Sequence, residues 1–148
     1  MAPRATLDSN ILVYAELEPE TAKGALAQRI IANTATNGVL AVQALLEFLA
    51  VVRRRRVESL PSAMAKVEAW SRVFETAPTS AAVARAAAAL VSAHGLQVWD
   101  AVIWSAARSA GAQLFLSEDL HDGLVLGGMR VANPFADGAA DLERLLGG

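Results

Sequence analysis

Ala5-Thr6-Leu7-Asp8-Ser9-Asn10-Ile11-Leu12-Val13-Tyr14 is the stretch that decides how this chain is read. Ala5 to Asp8 has the make-up of a short buried strand that closes on a carboxylate. Asp8-Ser9-Asn10 then supplies capping and turn chemistry before a new apolar run. An ionised aspartate at the edge of an apolar segment is costly unless a cation, hydrogen bonds or a raised pKa compensates its lost hydration. Three more acids share this predicament: Glu47 inside Ala-Leu-Leu-Glu-Phe-Leu-Ala, Asp100 inside Val-Trp-Asp-Ala-Val-Ile-Trp, and Asp119 just past Leu-Phe-Leu-Ser. Asp8 alone reads as an Asx turn or a helix cap. Four such acids point to a metal site.

Outward from this stretch the elements alternate. Residues 21 to 35 carry Ala22, Leu26 and Ile30 at helical spacing, and Gly38 separates that helix from a buried strand at Val39 to Val42. A helix from about Gln43 ends in Arg53-Arg54-Arg55-Arg56, where positive charge suits the helix dipole. Pro61 fits the first turn of a helix reaching Val73, Phe74 to Pro78 a short strand, and Ser80 the cap of an alanine-rich helix that Gly95 ends after His94. A helix from Val98 to Ala110, a strand from Gln113 to Leu116, a loop from Asp119 to Gly128 and a last strand from Met129 to Ala132 complete the order. Short apolar strands between helices predict an α/β fold, with a mainly parallel sheet covered on both faces. In such sheets sites form beyond the carboxyl ends of the strands, where Asp8 and Asp119 fall. The expected division is one domain over 1–135 and a tail over 136–148.

At 148 residues the chain can bury an ordinary core, and the apolar runs at Val39 to Val52 and Ala81 to Ala93 are broken by Gln43, Glu47 and Arg85, so no membrane span is predicted. There is no cysteine, and no apolar leader follows Arg4, so the expected compartment is the cytoplasm. A net charge of -2 excludes nucleic-acid binding by bulk electrostatics; any such contact must be local. The arginine run is the one concentrated patch. It reads equally as a solvated helix end or as a clamp for RNA phosphates.

Leu7-Asp8-Ser9-Asn10-Ile11-Leu12, the isolated Glu47, Trp99-Asp100-Ala101 opening a helix, and Leu116-Ser117-Glu118-Asp119 together resemble the PIN-domain ribonucleases, nearest to the VapC-like toxins of bacterial toxin–antitoxin pairs. Each motif alone is weak, whereas the ordered set covers nearly the whole chain. The resemblance implies a three-layer α/β/α sandwich and an acidic pocket that holds Mg²⁺ or Mn²⁺ and cuts RNA. Carried over residue by residue, Asp8, Glu47, Asp100 and Asp119 form the acidic quartet, with Asp8, Asp100 and Asp119 toward the metal. Asn10 braces the first motif, and Ser117 supplies a hydroxyl where many relatives have threonine. A small antitoxin protein and a second copy of the chain are the implied partners.

The chemistry agrees with this reading. Oxygen ligands without His or Cys suit a hard divalent cation rather than zinc. Such a cation can lower the pKa of a water for attack on phosphorus and neutralise the phosphate. A haloacid-dehalogenase-type phosphotransferase needs a second Asp where Asn10 stands, and a receiver domain needs a late lysine, while the only lysines are Lys23 and Lys66. The remaining alternative is a PIN-like module that binds RNA or protein without cutting. Asp122 before Gly123 reads as a turn residue, Glu118 as facing solvent, His94 as a helix-end residue, and Trp99 and Trp104 as core.

Overall fold

In the computed structural model, residues 3–136 are described. All but Ala136 of the expected tail lies outside them. Six strands and six α-helices follow in the order β1 (Ala5–Leu7), α1 (Ser9–Leu17), α2 (Ala22–Thr34), β2 (Val39–Ala41), α3 (Val42–Arg55), α4 (Leu60–Val73), β3 (Glu75–Ala77), α5 (Ala81–His94), α6 (Val98–Ser109), β4 (Leu114–Leu116), β5 (Val125–Leu126) and β6 (Met129–Ala132).

The strands form one sheet in the order β3-β2-β1-β4-β6-β5, parallel except where β5 meets β6. Residues alternate between its two faces. Leu40, Leu114 and Leu116 join the core formed with α1, α2, α3 and α4, whereas Val39, Ala41 and Phe115 join the core beneath α5 and α6. The period of two along each strand therefore covers both faces with helices and produces the three-layer α/β/α sandwich.

The helix boundaries follow from local chemistry. Thr21 caps α2 by accepting from the Gly24 amide at 3.0 Å, and Ser80 caps α5 by accepting from Val83 at 3.1 Å. Gly95 ends α5 with φ of 67°, a conformation in which a side chain would be strained.

Two expectations need correction. The strand expected over Ala5 to Asp8 ends at Leu7; Asp8 is the N-cap of α1, the capping role also expected of it, and its side chain accepts from the Ser9 amide at 2.8 Å. The expected loop at Asp119 to Gly128 holds strand β5, which folds back on β6 through Gly127 and Gly128, both at positive φ. Two consecutive left-handed residues give the tight reversal that joins a two-residue hairpin.

Candidate active site

β1 and β4 are neighbours in parallel register, with Leu7 opposite Leu116, so the residues just past their carboxyl ends are brought side by side. These are Asp8 and Ser117, 1% and 0% exposed. The Ser117 hydroxyl donates to Asp8 Oδ2 at 2.7 Å, and the same Oγ accepts from the amides of Asp119 at 3.0 Å and Leu120 at 3.4 Å. One hydroxyl thus fixes the first carboxylate and the backbone that carries another.

The other two acids come from helices. α3 starts directly at the carboxyl end of β2, which puts Glu47 in its second turn, half-buried beside the site. Gln97 is the N-cap of α6, and its side chain accepts from the Asp100 amide at 2.9 Å. The cap fixes the first turn and with it Asp100. The amino-terminal ends of α1 and α6 both lie at this acidic end of the sheet, where their partial positive charge favours anions.

Electrostatics report the convergence. Burial pushes the Asp8 carboxyl up to about 7, the Ser117 hydrogen bond opposes this, and the charges of Asp100 and Asp119 add to it. Glu47 is raised first by burial, then by Asp100, with the Ser9 hydroxyl acting against and Asp119 with it. Asp100 is raised by burial and by Asp119. Asp100 and Asp119 thus act on both Asp8 and Glu47, and Asp119 on Asp100, from four separate segments.

The donor set is all carboxylate oxygen, which fits a hard divalent cation. No group of three or more His, Cys, Asp or Glu side chains among the described residues is drawn together tightly enough to form a ready coordination sphere. Asn10 adds a second sign of an unmet polar demand: both its amide atoms are buried, and neither has a partner among the described residues.

Not every candidate joins the cluster. Arg53 to Arg56 lie at the far end of α3 from Glu47, where Arg56 Nη1 donates to the Leu17 carbonyl at 2.9 Å and Arg55 pairs with Glu18 at 3.7 Å. All four are exposed, and Arg55 and Arg56 also tie the end of α3 to the end of α1. Asp122 accepts from the Asn133 amide at 2.9 Å, a turn role as expected.

Glu118 overturns its expectation. Instead of facing solvent it accepts from Tyr14 Oη at 2.5 Å and from Lys23 Nζ at 2.5 Å. Burial works to raise its pKa, yet the hydrogen bonds from Lys23 and Tyr14 outweigh that and hold it below the ordinary range. Ser9, Tyr14 and Lys23 were missed as neighbours of the site. The position of Ser9, one residue past Asp8, was the only available signal for any of them.

No curated protein sequence matches the chain. Among solved structures, the fold is similar to VapC20 from Mycobacterium tuberculosis, described as a sarcin-ricin loop cleaving toxin, with 18% identity, 75% of this chain and 86% of that one covered, and a TM-score of 0.64. It is similar to a toxin–antitoxin complex from Klebsiella pneumoniae, with 17% identity, 88% and 98% covered, and a TM-score of 0.67. It is also similar to DNA-bound VapBC from Salmonella typhimurium, with 15% identity, 87% and 96% covered, and a TM-score of 0.64. The sequence profile of the PIN domain matches residues 5–121, the span that contains every strand-end and helix-start acid described above. The chain belongs to the PIN-domain family.

Proposed function

We propose that the protein is a Mg²⁺- or Mn²⁺-dependent endoribonuclease, acting in the cytoplasm as the toxin of a toxin–antitoxin pair. The observation that carries this reading is the convergence of Asp8, Glu47, Asp100 and Asp119 from four separate segments at the carboxyl end of the sheet. A module that only bound RNA would gain nothing from so much negative charge beside a phosphate.

Asp8, Asp100 and Asp119 would hold the cation, directly or through water. When bound, the cation supplies a more acidic water and neutralises phosphate charge. Glu47, with its pKa raised, is suited to orient an attacking water and to accept its proton. Ser117 holds Asp8 oriented; the bracing role expected of Asn10 has no hydrogen bond behind it among the described residues, since neither atom of its side-chain amide has a partner. Hydrolysis places the water oxygen on phosphorus and the proton on the departing ribose oxygen, leaving a 5′-phosphate and a 3′-hydroxyl. Exposed Arg53 and Arg54 are the residues of the arginine run that would meet RNA phosphates.

Likeness to toxin–antitoxin structures supports an antitoxin partner, and self-pairing of the toxin is part of the same proposal. No described helix is long and apolar enough to cross a membrane.

The test is cleavage of structured RNA by the purified protein with Mg²⁺, with Mn²⁺ and with EDTA. Cleavage with either ion, its loss in EDTA, and its loss in Asp8→Asn and Asp100→Asn are expected. RNA binding without cleavage under all three conditions would favour the non-catalytic alternative.

A further inference from the structure

Tyr14 and Lys23 belong to none of the four acidic motifs and Glu118 has no assigned role in its own, yet the three meet beside the acids. Glu118 lies between Ser117, which holds Asp8, and Asp119, which is exposed. Both oxygens of its carboxylate are occupied by donors from the opposite side of the loop, one from α1 and one from α2, 104 and 95 positions away in the chain. The donors are themselves held. The Lys23 ammonium sits 5.1 Å from the Tyr14 ring centre and 5.4 Å from that of Phe135, and the two rings meet edge to face at 5.2 Å. The segment beyond β6 is thereby packed against the same cluster.

The loop from Ser117 to Leu120 is thus gripped twice. On its inner side the Ser117 hydroxyl accepts from the Asp119 and Leu120 amides. On its outer side the Glu118 carboxylate is clamped to α1 and α2. Asp119 has its backbone fixed between these two grips, and its charge acts on Asp8, Glu47 and Asp100. With only the inner grip, the peptide could rotate about Ser117 and turn Asp119 outward. A carboxylate at the exposed rim loses the most from such freedom.

We infer that Tyr14 and Lys23, by holding both oxygens of Glu118, are positioning residues that set Asp119 toward the other three acids. This inference rests on the metal-site reading given above. Outer residues that orient metal ligands commonly contribute 10- to 100-fold to metal affinity, so the effect is measurable.

The experiment uses the full chain without RNA. Mn²⁺ binding is measured by calorimetry, and hydrogen exchange of the Asp119 amide by NMR, in the wild type and in Tyr14→Phe, Glu118→Ala and Lys23→Arg, with thermal melting to confirm folding. Tyr14→Phe and Glu118→Ala are expected to bind Mn²⁺ about tenfold more weakly and to exchange the Asp119 amide faster than wild type, with Lys23→Arg close to wild type. Folded variants with unchanged affinity and unchanged exchange would overturn the inference. If the wild type itself takes up no Mn²⁺, the metal-site reading fails, and the Asp119 exchange rates alone then decide whether the clamp positions this residue.

Discussion

Ser117 and Asp8, 109 positions apart, are joined by a 2.7 Å hydrogen bond between two fully buried groups at the ends of adjacent parallel strands. The hydroxyl donates to the carboxylate and so favours its charged form. Ser117→Ala should leave one oxygen of a buried carboxylate unsatisfied and deprive the Asp119 and Leu120 amides of their acceptor. The expected cost is about 1–3 kcal/mol of stability, together with an Asp8 pKa above its present value of about 7. Ser117→Thr keeps the hydroxyl and should restore both. Denaturant unfolding and carboxyl NMR titration provide the check; an Asp8 pKa that falls in Ser117→Ala would contradict the role of the bond.

The metal-free protein should lose stability as pH rises. Asp8 has a folded-state pKa of about 7 against 3.8 as a model group, so the folded state binds the proton more tightly than the unfolded state does. The penalty is absent below pH 3.8, grows between the two values and is complete above about 7. At about 1.4 kcal/mol per pH unit it amounts to about 4 kcal/mol. Glu47 and Asp100 are shifted in the same direction. Asp8→Asn, which carries no charge to desolvate, should therefore be the more stable protein at pH 8 in EDTA, with the gap closing by pH 4, while cleaving no RNA. Urea unfolding at both pH values tests the sign, and a variant less stable than wild type at pH 8 would refute it.

What could be read from the sequence was whatever depends on neighbours along the chain. The cap at Ser80, the stop at Gly95 and the alternation of strands with helices are local, and the structure has them. The acids were legible because a charge within an apolar run is a local anomaly. Glu118 was misread because its partners Tyr14 and Lys23 sit on α1 and α2, and no periodicity links position 118 to either. Strand β5 was missed because a two-residue strand is defined by its pairing with β6 rather than by composition. The arginine run looked uniform, yet tertiary contacts split it.

Gly24 shows the same limit in a helix. An added Cβ there would run into the Glu18 carbonyl, where α1 and α2 pack backbone against backbone. Helix propensity alone would make Gly24→Ala stabilising by roughly 1 kcal/mol. The contact should reverse that sign, because the obstacle is rigid main chain and the helices must separate, an overpacking cost of about 1–3 kcal/mol. A melting temperature above wild type would show that the α1–α2 hairpin has slack. Because Lys23 is the adjacent residue, the variant should also weaken the hold on Glu118.

The split within the arginine run predicts two separable phenotypes. Arg56→Met removes the bond to the Leu17 carbonyl that ties α3 to α1, and should cost about 0.5–1.5 kcal/mol of stability with no change in how RNA binding responds to salt. Arg53 and Arg54 are exposed and begin six residues after Glu47, about 9 Å along the helix axis, a distance an RNA backbone can bridge from the acidic site. Reversing both, Arg53→Glu with Arg54→Glu, should leave the melting temperature near wild type and weaken binding to single-stranded RNA. If each arginine neutralises one phosphate, the slope of log affinity against log salt should flatten by about 1.4. Filter binding between 50 and 200 mM salt reads this directly. An unchanged slope would leave these two arginines as a solvated end that complements the dipole of α3, and the phosphate contacts would have to lie elsewhere on the rim of the site.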